Sequence, residues 1–348
     1  MGHSQENNTN AGILNRYQKT ISVSLKQNMP NENSEVYKLL SYSMGWIDIN
    51  GNKKNNNLGK ALRPSLCLFA CESLSGSIGP SIPAAVAIEL IHKFSLIHDD
   101  IQDKDEFRYN QATLWTIWGV PKALIAGNVL RIIADQCLEK LVANGTEIDR
   151  TLFVIEILTQ SYLEMIEGQY LDIYYEGSPG ISIEEYMNMI KNKTGALIKS
   201  SLQIGAVIGT QNIDIINAFS ECGSSIGYLF QIRDDILGVW GESKNTGKPV
   251  GSDIKMKKNS FPICYAISNA KNKTKKFLID KYSKKSITNN DVIEILDVLE
   301  SLKIKKHAED ITDYHAERAI KALKQKNIPC STIKEIENLV DFLSTRNH

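Results

Sequence analysis

Long segments of this chain repeat apolar residues at three- and four-residue spacings, and this pattern constrains the fold more than any other feature. Such spacing places the apolar side chains on one face of a helix. We find no convincing succession of alternating strands. The sequence therefore predicts an all-α protein, with helices at residues 84–103, 121–143, 150–175, 183–209, 213–240 and 286–303.

Helix-breaking residues separate these segments, but nothing between them has the composition of a long flexible hinge. The breakers are Gly79-Pro80, Pro121, Ser178-Pro179-Gly180 and the stretch 241–252. We therefore expect one large helical domain over residues 13–348, preceded by a disordered leader at residues 1–12.

The composition argues against several classes of partner. The chain has 40 basic and 40 acidic side chains, so no net charge attracts nucleic acid or an anionic membrane. No apolar run reaches the ~18 residues of a membrane span, and the amino terminus lacks the apolar core of a signal peptide. The six scattered cysteines complete no zinc set and predict reduced core thiols in a cytoplasmic protein.

An acidic cluster follows an apolar segment at LIHDDIQD, residues 96–103. Asp99 and Asp103 are four residues apart, so a helix places both carboxylates on one stripe. Two hard oxygen ligands one turn apart suit Mg²⁺, which completes its shell with water and phosphate oxygens. A solvated acidic helix end would produce the same pattern, and this motif alone leaves both interpretations open.

The cluster has an internal counterpart, since FSLIHDDIQD (94–103) and LFQIRDDILG (229–238) share an apolar lead-in followed by Asp-Asp-Ile. In the second segment Gln231, Asp234 and Asp235 fall within about one helical turn. Two acidic helices could face each other across a bundle core, as they do in carboxylate-metal sites. Such a pair would collect several Mg²⁺ ions and bind a diphosphate.

A bound diphosphate needs further positive charge, and basic residues alternate with the acidic segments along the chain. Each of these residues, taken alone, predicts a solvated surface charge, so only their combination favours a diphosphate site. The candidates are Lys60, Arg63, Arg108, Lys193, Lys248, Lys257 and Lys258.

These segments together resemble the trans-isoprenyl diphosphate synthases of the polyprenyl synthetase family, and the likeness spans residues 12–346. The matching segments are GKALRP (59–64), ELIHKFSLIHDDIQD (89–103), EGQYLDI (167–173), KTGALI (193–198), GYLFQIRDDILGVWG (227–241) and TGKPVGSDIKMKKNSFP (246–262). The resemblance implies a single helical bundle of the isoprenoid synthase type with a central apolar cavity, and a homodimer.

The resemblance also assigns roles to individual residues. It implies that Asp99, Asp103 and Asp234 hold three Mg²⁺ ions against an allylic diphosphate, which is dimethylallyl, geranyl or farnesyl diphosphate. The other implied site residues are Arg108, Lys193, Lys248 and Lys258 at the phosphates, Lys60, Arg63 and His92 at isopentenyl diphosphate, and Thr194 and Gln231 beside the allylic carbon. In the implied reaction the allylic diphosphate ionises, the isopentenyl double bond attacks, and the departed diphosphate removes a proton.

The residues just before the first acidic motif carry the prediction of product length. The resemblance implies that an aromatic side chain at Phe94 and a small one at Ser95 close the apolar tunnel near C20. The motif also lacks the two-residue insertion found in many members of the family. We therefore expect geranylgeranyl diphosphate as the product, and plain core packing is the alternative role for Phe94.

Three departures from the family pattern lie near the motifs. Gly238 replaces the aspartate that usually closes the second motif, and Asn128 replaces an aspartate common in many members. After the first motif the family has Arg-Arg-Gly-x-Pro, whereas here Tyr109, Asn110 and Ala112 replace the second arginine, the glycine and the proline. These changes weaken the predicted binding of the second substrate and leave the ionising residues nearly intact.

Two other functions stay open on the sequence. The missing positive charge at Tyr109 favours a terpene-synthase-like lyase that cyclises one allylic diphosphate, whereas intact Lys60, Arg63 and His92 argue against it. A non-catalytic regulatory subunit of a hetero-oligomeric synthase is the third possibility. The intact aspartates of both motifs argue against that role.

Overall fold

The computed structural model describes residues 12–30, 34–54, 59–108, 111–178, 180–246 and 249–346. In this part of the chain the protein is helical almost throughout, which confirms the predicted all-α class. The predicted leader lies outside the described residues except for Gly12, where the first helix begins.

The helices in the described ranges follow one another with short connections. In chain order they are α1 (Gly12–Arg16), α2 (Gln18–Gln27), α3 (Glu35–Ser43), α4 (Leu62–Ser75), α5 (Ile82–Gln102), α6 (Leu114–Trp118), α7 (Val120–Glu139), α8 (Ile148–Tyr175), α9 (Ile183–Ile190), α10 (Ala196–Gly209), α11 (Ile213–Trp240), α12 (Ser243–Thr246), α13 (Ser252–Lys255), α14 (Phe261–Asn269), α15 (Asn272–Tyr282), α16 (Asn289–Ser301), α17 (Ile304–Lys324) and α18 (Cys330–Thr345). A 3₁₀ turn, Gly79–Ser81, precedes α5, and a π-helical segment, Lys191–Gly195, joins α9 to α10.

One short hairpin, which the sequence pattern did not predict, follows α5. Its strands β1 (Phe107–Arg108) and β2 (Gln111–Ala112) are antiparallel, with Phe107 opposite Ala112 and Arg108 opposite Gln111. Tyr109 and Asn110 lie outside the described residues. Strands of two residues are too short to show an alternating pattern in the sequence.

The long predicted helices are confirmed, and local signals explain where they begin. The prediction for 213–240 coincides with α11, whereas α7 ends at Glu139, before the predicted 143. Pro121, predicted as a breaker, lies in the first turn of α7, where its missing N–H removes no helical hydrogen bond. Ser182 and Thr288 each form a capping box at the start of α9 and α16.

The chain divides into two compact units. The N-terminal unit consists of the described residues of Ala11–Thr159 and Ser201–Ile216. The C-terminal unit consists of the described residues of Gln160–Ser200 and Asn217–His348. The single domain expected over residues 13–348 stays a prediction, as does the central apolar cavity.

The core of the N-terminal unit is built around α5. Every residue from Pro83 to Ile91 is buried, and α4 and α7 both pack against this helix. Among the described residues, one helical stretch, Gly79–Gln102, is long and apolar enough to cross a membrane, and 67% of its apolar window is buried inside the protein. Core packing therefore accounts for the apolar character of α5.

Two apolar clusters lie among the described residues of the C-terminal unit. One joins the end of α11 to α14, α15 and α16 and includes Val239, Ile263 and Leu299. The other surrounds Tyr186 and Phe261 and includes Ile232 and Ile236 from the buried face of α11. This second cluster holds the helix that carries the second acidic motif.

All six cysteines are free thiols, and five of them are buried as predicted. Cys330 is exposed, so the prediction of a core thiol is wrong at this position. The reason is that Cys330 is the first residue of α18 and lies outside its buried stripe of Thr332, Ile336 and Leu339.

Candidate active site

The first acidic motif lies at the C-terminal end of α5, in the N-terminal unit. Asp99 is half-buried, and Asp103 is the exposed residue that ends the helix, its N–H donating to the Asp99 carbonyl at 2.8 Å. Lys104 then adopts a left-handed conformation with φ of 58°, which takes the chain out of the helix. The two carboxylates therefore lie on one helix stripe, as their spacing predicts.

Asp100, between these two residues, turns the other way and is only 6% exposed. It accepts a hydrogen bond at 2.5 Å from Nε of Arg108 in β1. Burial raises the pKa of Asp100, and the Arg108 guanidinium opposes that rise. Asp100 thus holds Arg108 in place, and Arg108 is the side chain that we expect to contact a phosphate. Residue spacing did not reveal this role, because the partner comes from the unpredicted hairpin.

Hydrogen bonds to Tyr42 of α3 anchor β2, the strand that follows Arg108. The Tyr42 hydroxyl of α3 donates to the Ala112 carbonyl at 2.7 Å, and the Gln111 amide donates to the Tyr42 carbonyl at 3.1 Å. Trp115 Nε1 donates to the Asp105 carbonyl at 2.8 Å, which ties down the loop after α5. These contacts hold β2 without the proline that the family has at position 112.

A second polar cluster forms where α4 begins beside α5. Arg63 Nη1 donates to His92 Nε2 at 3.3 Å, because a guanidinium has no acceptor to offer. Burial lowers the pKa of His92 well below its ordinary value, and the charges of Arg63 and Lys93 lower it further. The structure therefore brings together two of the three residues predicted to bind isopentenyl diphosphate. The third, Lys60, is half-buried just before α4.

Glu89 is the acidic residue in this cluster, and it is only 2% exposed. Lys93 Nζ lies 3.6 Å from Glu89 Oε1, one turn further along α5. Burial raises the pKa of Glu89, while Lys93 and Arg63 lower it. Glu89 was not among the predicted site residues, although a lone acid inside an apolar helical segment is a detectable signal of a buried counter-charge.

Phe94 is a buried packing residue of α5. Its ring centroid lies 4.4 Å from that of His98, and Gly127 of α7 leaves the space that both rings need. A Cβ at Gly127 would lie 2.6 Å from His98 Nε2. The Ser95 hydroxyl donates to the His92 carbonyl at 2.9 Å. Phe94 has the packing contacts of the alternative role, and its effect on product length stays a prediction.

The second acidic motif lies on α11, in the C-terminal unit. The Asp234 side chain is 46% exposed and forms an ion pair with Arg346, after the last helix. Arg346 also donates to the Phe230 carbonyl at 3.2 Å and lies over the Phe230 ring. Arg233 in turn donates to the Arg346 carbonyl at 2.7 Å. Arg346 was not among the predicted site residues, because no local spacing connects it to α11.

Asp235 points into the core of the same unit and is 6% exposed. Its Oδ2 accepts hydrogen bonds from the Tyr186 hydroxyl at 2.5 Å and the Phe261 N–H at 2.6 Å. Its Oδ1 accepts one from Gln231 Nε2 at 2.9 Å. Burial raises the pKa of Asp235 to about 7, against the opposing effect of these donors. Asp235 was predicted to lie within one turn of Gln231 but was assigned no role.

Lys193 and Thr194 lie on the π-helical segment between α9 and α10. Lys193 Nζ is 2.5 Å from Asp172 Oδ2, and the Thr194 hydroxyl donates to Gln231 Oε1 at 2.6 Å. Two glycines permit these positions, since a Cβ at Gly168 would lie 2.1 Å from the Lys193 nitrogen. A Cβ at Gly227 would lie 2.7 Å from the Cα of Gly195.

The structure accounts for one departure from the family pattern. A Cβ at Gly238 would lie 1.9 Å from Oδ2 of Asp253, in α13. The Asp253 carboxylate therefore occupies the space that a side chain at position 238 would need. The second motif lacks its closing aspartate in sequence, but a carboxylate from a later segment stands in that place.

The remaining predicted cations are not equally placed. Lys248 lies outside the described residues. Lys258 is exposed, and its backbone N–H donates to the Asp253 carbonyl at 2.9 Å. Lys257 Nζ donates to the Lys284 carbonyl at 2.8 Å, which engages this side chain away from the motif.

The donor chemistry of the first motif fits Mg²⁺. Asp99 and Asp103 offer hard carboxylate oxygens on one stripe, and Mg²⁺ commonly takes one or two carboxylates together with water and phosphate oxygens. Within the described ranges, no three His, Cys, Asp or Glu side chains form a group that could hold a metal alone.

Comparison with known proteins decides the family. The model of the family described as polyprenyl synthetase matches residues 48–299 of this chain. The chain belongs to the polyprenyl synthetase family. This polyprenyl synthetase is therefore a trans-prenyltransferase of the isoprenyl diphosphate synthase type, as its motifs predict.

Relatives and solved structures agree with this assignment. A (2E,6E)-farnesyl diphosphate synthase of Mycobacterium tuberculosis is 30% identical over 337 residues, which cover 96% of this chain and 92% of the relative. The structure of geranylgeranyl pyrophosphate synthetase from Pyrococcus horikoshii is 32% identical, with a TM-score of 0.85 over 96% of this chain and 98% of that one. The fold is also that of a geranylgeranyl pyrophosphate synthase from Corynebacterium glutamicum complexed with isoprenyl diphosphate and magnesium, which is 23% identical, with a TM-score of 0.81 over 96% of this chain and 99% of that one.

Proposed function

We propose that this polyprenyl synthetase is a Mg²⁺-dependent enzyme that condenses isopentenyl diphosphate with an allylic diphosphate to give geranylgeranyl diphosphate. The observation that carries the proposal is the hydrogen bond between Arg63 and His92. These two residues are expected at the second substrate, and a lyase that acts on one diphosphate would not need them.

Asp99, Asp103 and Asp234 are the residues that would hold Mg²⁺. When bound there, the metal supplies positive charge that stabilises the diphosphate as the C–O bond breaks. Asp234 shares its carboxylate with Arg346, so metal binding at this residue competes with an existing ion pair.

Other side chains of the chain bind and orient the substrates. Arg108 and Lys193 bind phosphate oxygens, and Asp100 and Asp172 hold these two cations in place. Lys248 and Lys258 are proposed for the same task, and Lys60 joins Arg63 and His92 at isopentenyl diphosphate. Thr194 and Gln231 offer oxygen atoms to the cationic carbon that forms on ionisation. The isopentenyl double bond then attacks this carbon, and the departed diphosphate removes a proton from the resulting cation, which forms the new double bond.

The C20 product is the finest part of the proposal. The Mycobacterium relative is named for farnesyl and the Pyrococcus structure for geranylgeranyl diphosphate, so the relatives do not agree on chain length. The aromatic ring of Phe94, five residues before Asp99, supports C20. A Phe94→Ala variant should extend the products beyond C20, and unchanged C20 output would contradict this role.

Product analysis tests the proposed function. The protein is incubated with Mg²⁺ and farnesyl diphosphate, with and without isopentenyl diphosphate, and the extracted products are identified by mass spectrometry. A C20 diphosphate formed only when both substrates are present supports the transferase. A hydrocarbon or alcohol from farnesyl diphosphate alone would identify a lyase. No turnover under any condition would favour the regulatory subunit.

We also propose that two copies of the chain form a homodimer through α7. Leu124, Ile125 and Ile132 of this helix are exposed, although they are large and apolar. Ile125 and Ile132 also line an open pocket of about 400 Å³ together with Pro30 and Asn128. Light scattering should give a dimer, and Ile125→Lys combined with Ile132→Lys should give a folded monomer.

The cytoplasmic location stays a prediction.

A further inference from the structure

Four side chains of the C-terminal unit form a hydrogen-bonded series that begins at Tyr186 and ends at Thr194. Its members are Tyr186 of α9, Asp235 and Gln231 of α11, and Thr194 of the π-helical segment. Of these four residues, only Thr194 and Gln231 belong to the proposed reaction. The buried Asp235 end meets no substrate group in that scheme and needs another explanation.

The Phe261 N–H fixes which groups donate and which accept in this hydrogen-bonded series. Its N–H can only donate, so Oδ2 of Asp235 is an acceptor, and the Tyr186 hydroxyl donates to the same atom. In the ionised form of Asp235 the other oxygen, Oδ1, accepts from Nε2 of Gln231 at 2.9 Å. The amide nitrogen of Gln231 is therefore committed to Asp235.

The orientation of Gln231 then decides what Thr194 can do. With Nε2 directed to Asp235, the amide oxygen Oε1 faces Thr194 at 2.6 Å, and the Thr194 hydroxyl must donate to it. Thr194 has one hydroxyl hydrogen, and that hydrogen is used in this bond. Its oxygen is left with lone pairs for any further contact.

We propose that Asp235 is a positioning residue that sets the orientation of the Gln231 amide and thereby makes Thr194 present lone pairs to the allylic cation. The inference rests on the proposed function, which places Thr194 and Gln231 beside that cation. Lone pairs aimed at a developing positive charge stabilise it, whereas a hydroxyl hydrogen aimed at the same place opposes it. The effect of Asp235 is therefore exerted on the transition state through two other side chains.

An isosteric substitution of Asp235 exchanges donors and acceptors along the hydrogen-bonded series. In Asp235→Asn the carboxamide oxygen must face the Phe261 N–H and the Tyr186 hydroxyl, so the new NH₂ group faces Gln231. Gln231 must then turn its oxygen toward residue 235 and its nitrogen toward Thr194. Thr194 becomes an acceptor, and its hydrogen is released toward the cation.

A second substitution restores the original direction. In the double variant Asp235→Asn with Gln231→Glu, the glutamate accepts from the new NH₂ group and also from the Thr194 hydroxyl. Thr194 donates again and presents its lone pairs.

The test measures binding of two analogues of the allylic diphosphate by calorimetry in the presence of Mg²⁺. One analogue carries an ammonium group where the cation forms. The other is a thio analogue of the same length that carries no charge at that position, and it is called the uncharged analogue. Asp235→Asn should weaken binding of the ammonium analogue at least tenfold and of the uncharged analogue less than threefold. The kcat of condensation should fall at least tenfold, with both KM values within threefold.

Two further variants separate positioning from loss of structure. The double variant should regain most of the lost affinity for the ammonium analogue. Tyr186→Phe removes a hydrogen bond from Oδ2 but leaves the contact between Asp235 and Gln231, so its effect on the ammonium analogue should be smaller than that of Asp235→Asn. Thermal melting confirms that each variant is folded before binding is measured.

Each result bears on the proposal. An unchanged ratio of the two affinities in Asp235→Asn would overturn it, as would a double variant no better than the single one. Failure of the wild type to bind either analogue would also overturn it. If the wild type binds both analogues but does not use isopentenyl diphosphate, the transferase proposal fails, while the affinity ratio still decides the role of Asp235.

Discussion

The two acidic helices, α5 and α11, carry the same Asp-Asp pair in different surroundings. In each pair the first aspartate is the more exposed, Asp99 on α5 and Asp234 on α11. The second, Asp100 or Asp235, is buried and 6% exposed. Asp100 meets a cation, Arg108, whereas three neutral donors surround Asp235. The shared pattern therefore leads to two different tasks for the buried member.

The difference in partners explains the difference in task. The Arg108 guanidinium opposes the rise that burial causes in the pKa of Asp100, and in return Asp100 fixes a cation for a phosphate. Burial raises the pKa of Asp235 to about 7, although three neutral donors oppose the rise. What Asp235 provides instead is a fixed direction of hydrogen bonding. A repeated motif does not guarantee a repeated role for each of its residues.

We expect the largest effect on kcat from the first aspartate of each pair, Asp99 or Asp234, which we call the outer aspartates. Asp99→Ala or Asp234→Ala should lower kcat by about 10²–10³-fold, or roughly 3–4 kcal/mol, because each removes a carboxylate proposed to bind Mg²⁺. Steady-state kinetics at saturating Mg²⁺ measures the loss, and circular dichroism checks the fold. An outer-aspartate variant that keeps half of the wild-type kcat would break the parallel between the two helices.

The closing positions of the two motifs should differ in their effect on stability. Gly238→Ala should lower the free energy of unfolding by about 2–3 kcal/mol, because its Cβ would lie 1.9 Å from Asp253 Oδ2. Asp103→Ala, the matched change on α5, removes an exposed side chain and should stay within about 0.5 kcal/mol. Urea denaturation measures both variants. Equal effects would show that Asp253 does not fill the place of residue 238.

A buried histidine beside α11 should make stability depend on pH. His315 stacks on Tyr228 with ring centroids 4.7 Å apart, and burial lowers its pKa to about 4. The unfolded chain therefore takes up a proton first as pH falls, so stability is lost between about pH 6.5 and pH 4, on the order of 2 kcal/mol. Denaturation of wild type and His315→Phe at several pH values isolates this loss. A constant difference between the two proteins would contradict it.

The ion pair between Asp100 of α5 and Arg108 should give a small effect that depends on salt. A double-mutant cycle of Asp100→Asn and Arg108→Gln should give a coupling free energy of about 1 kcal/mol that decreases in 1 M salt. The cycle of Asp235→Asn and Tyr186→Phe on α11 should be insensitive to salt, because Tyr186 carries no charge. Salt dependence in both cycles, or in neither, would remove the distinction between the buried aspartates.

Local pattern predicted the helices and the order of the motifs. Residues 213–240 form α11 as expected, because the apolar spacing in that segment is sustained over many turns. The pairs Asp99–Asp103 and Gln231–Asp235 could also be placed on their helices, since each lies within one turn.

Contacts between distant parts of the chain could not be predicted in this way. Arg346 reaches Asp234 across 112 residues, and Asp253 fills the space at Gly238 from a separate helix. The hairpin that carries Arg108 has strands of two residues, too short to leave a pattern. These features depend on tertiary packing, which single-chain periodicity does not encode.

We assign metal binding to Asp99 and Asp234, whereas Asp235 positions other side chains. Calorimetric titration of inorganic diphosphate in the presence of Mg²⁺ tests this assignment most directly. We predict that Asp99→Ala and Asp234→Ala each raise the Kd at least a hundredfold and that Asp235→Asn changes it less than threefold. If Asp235→Asn abolishes Mg²⁺-dependent binding while the outer variants retain it, the account is wrong.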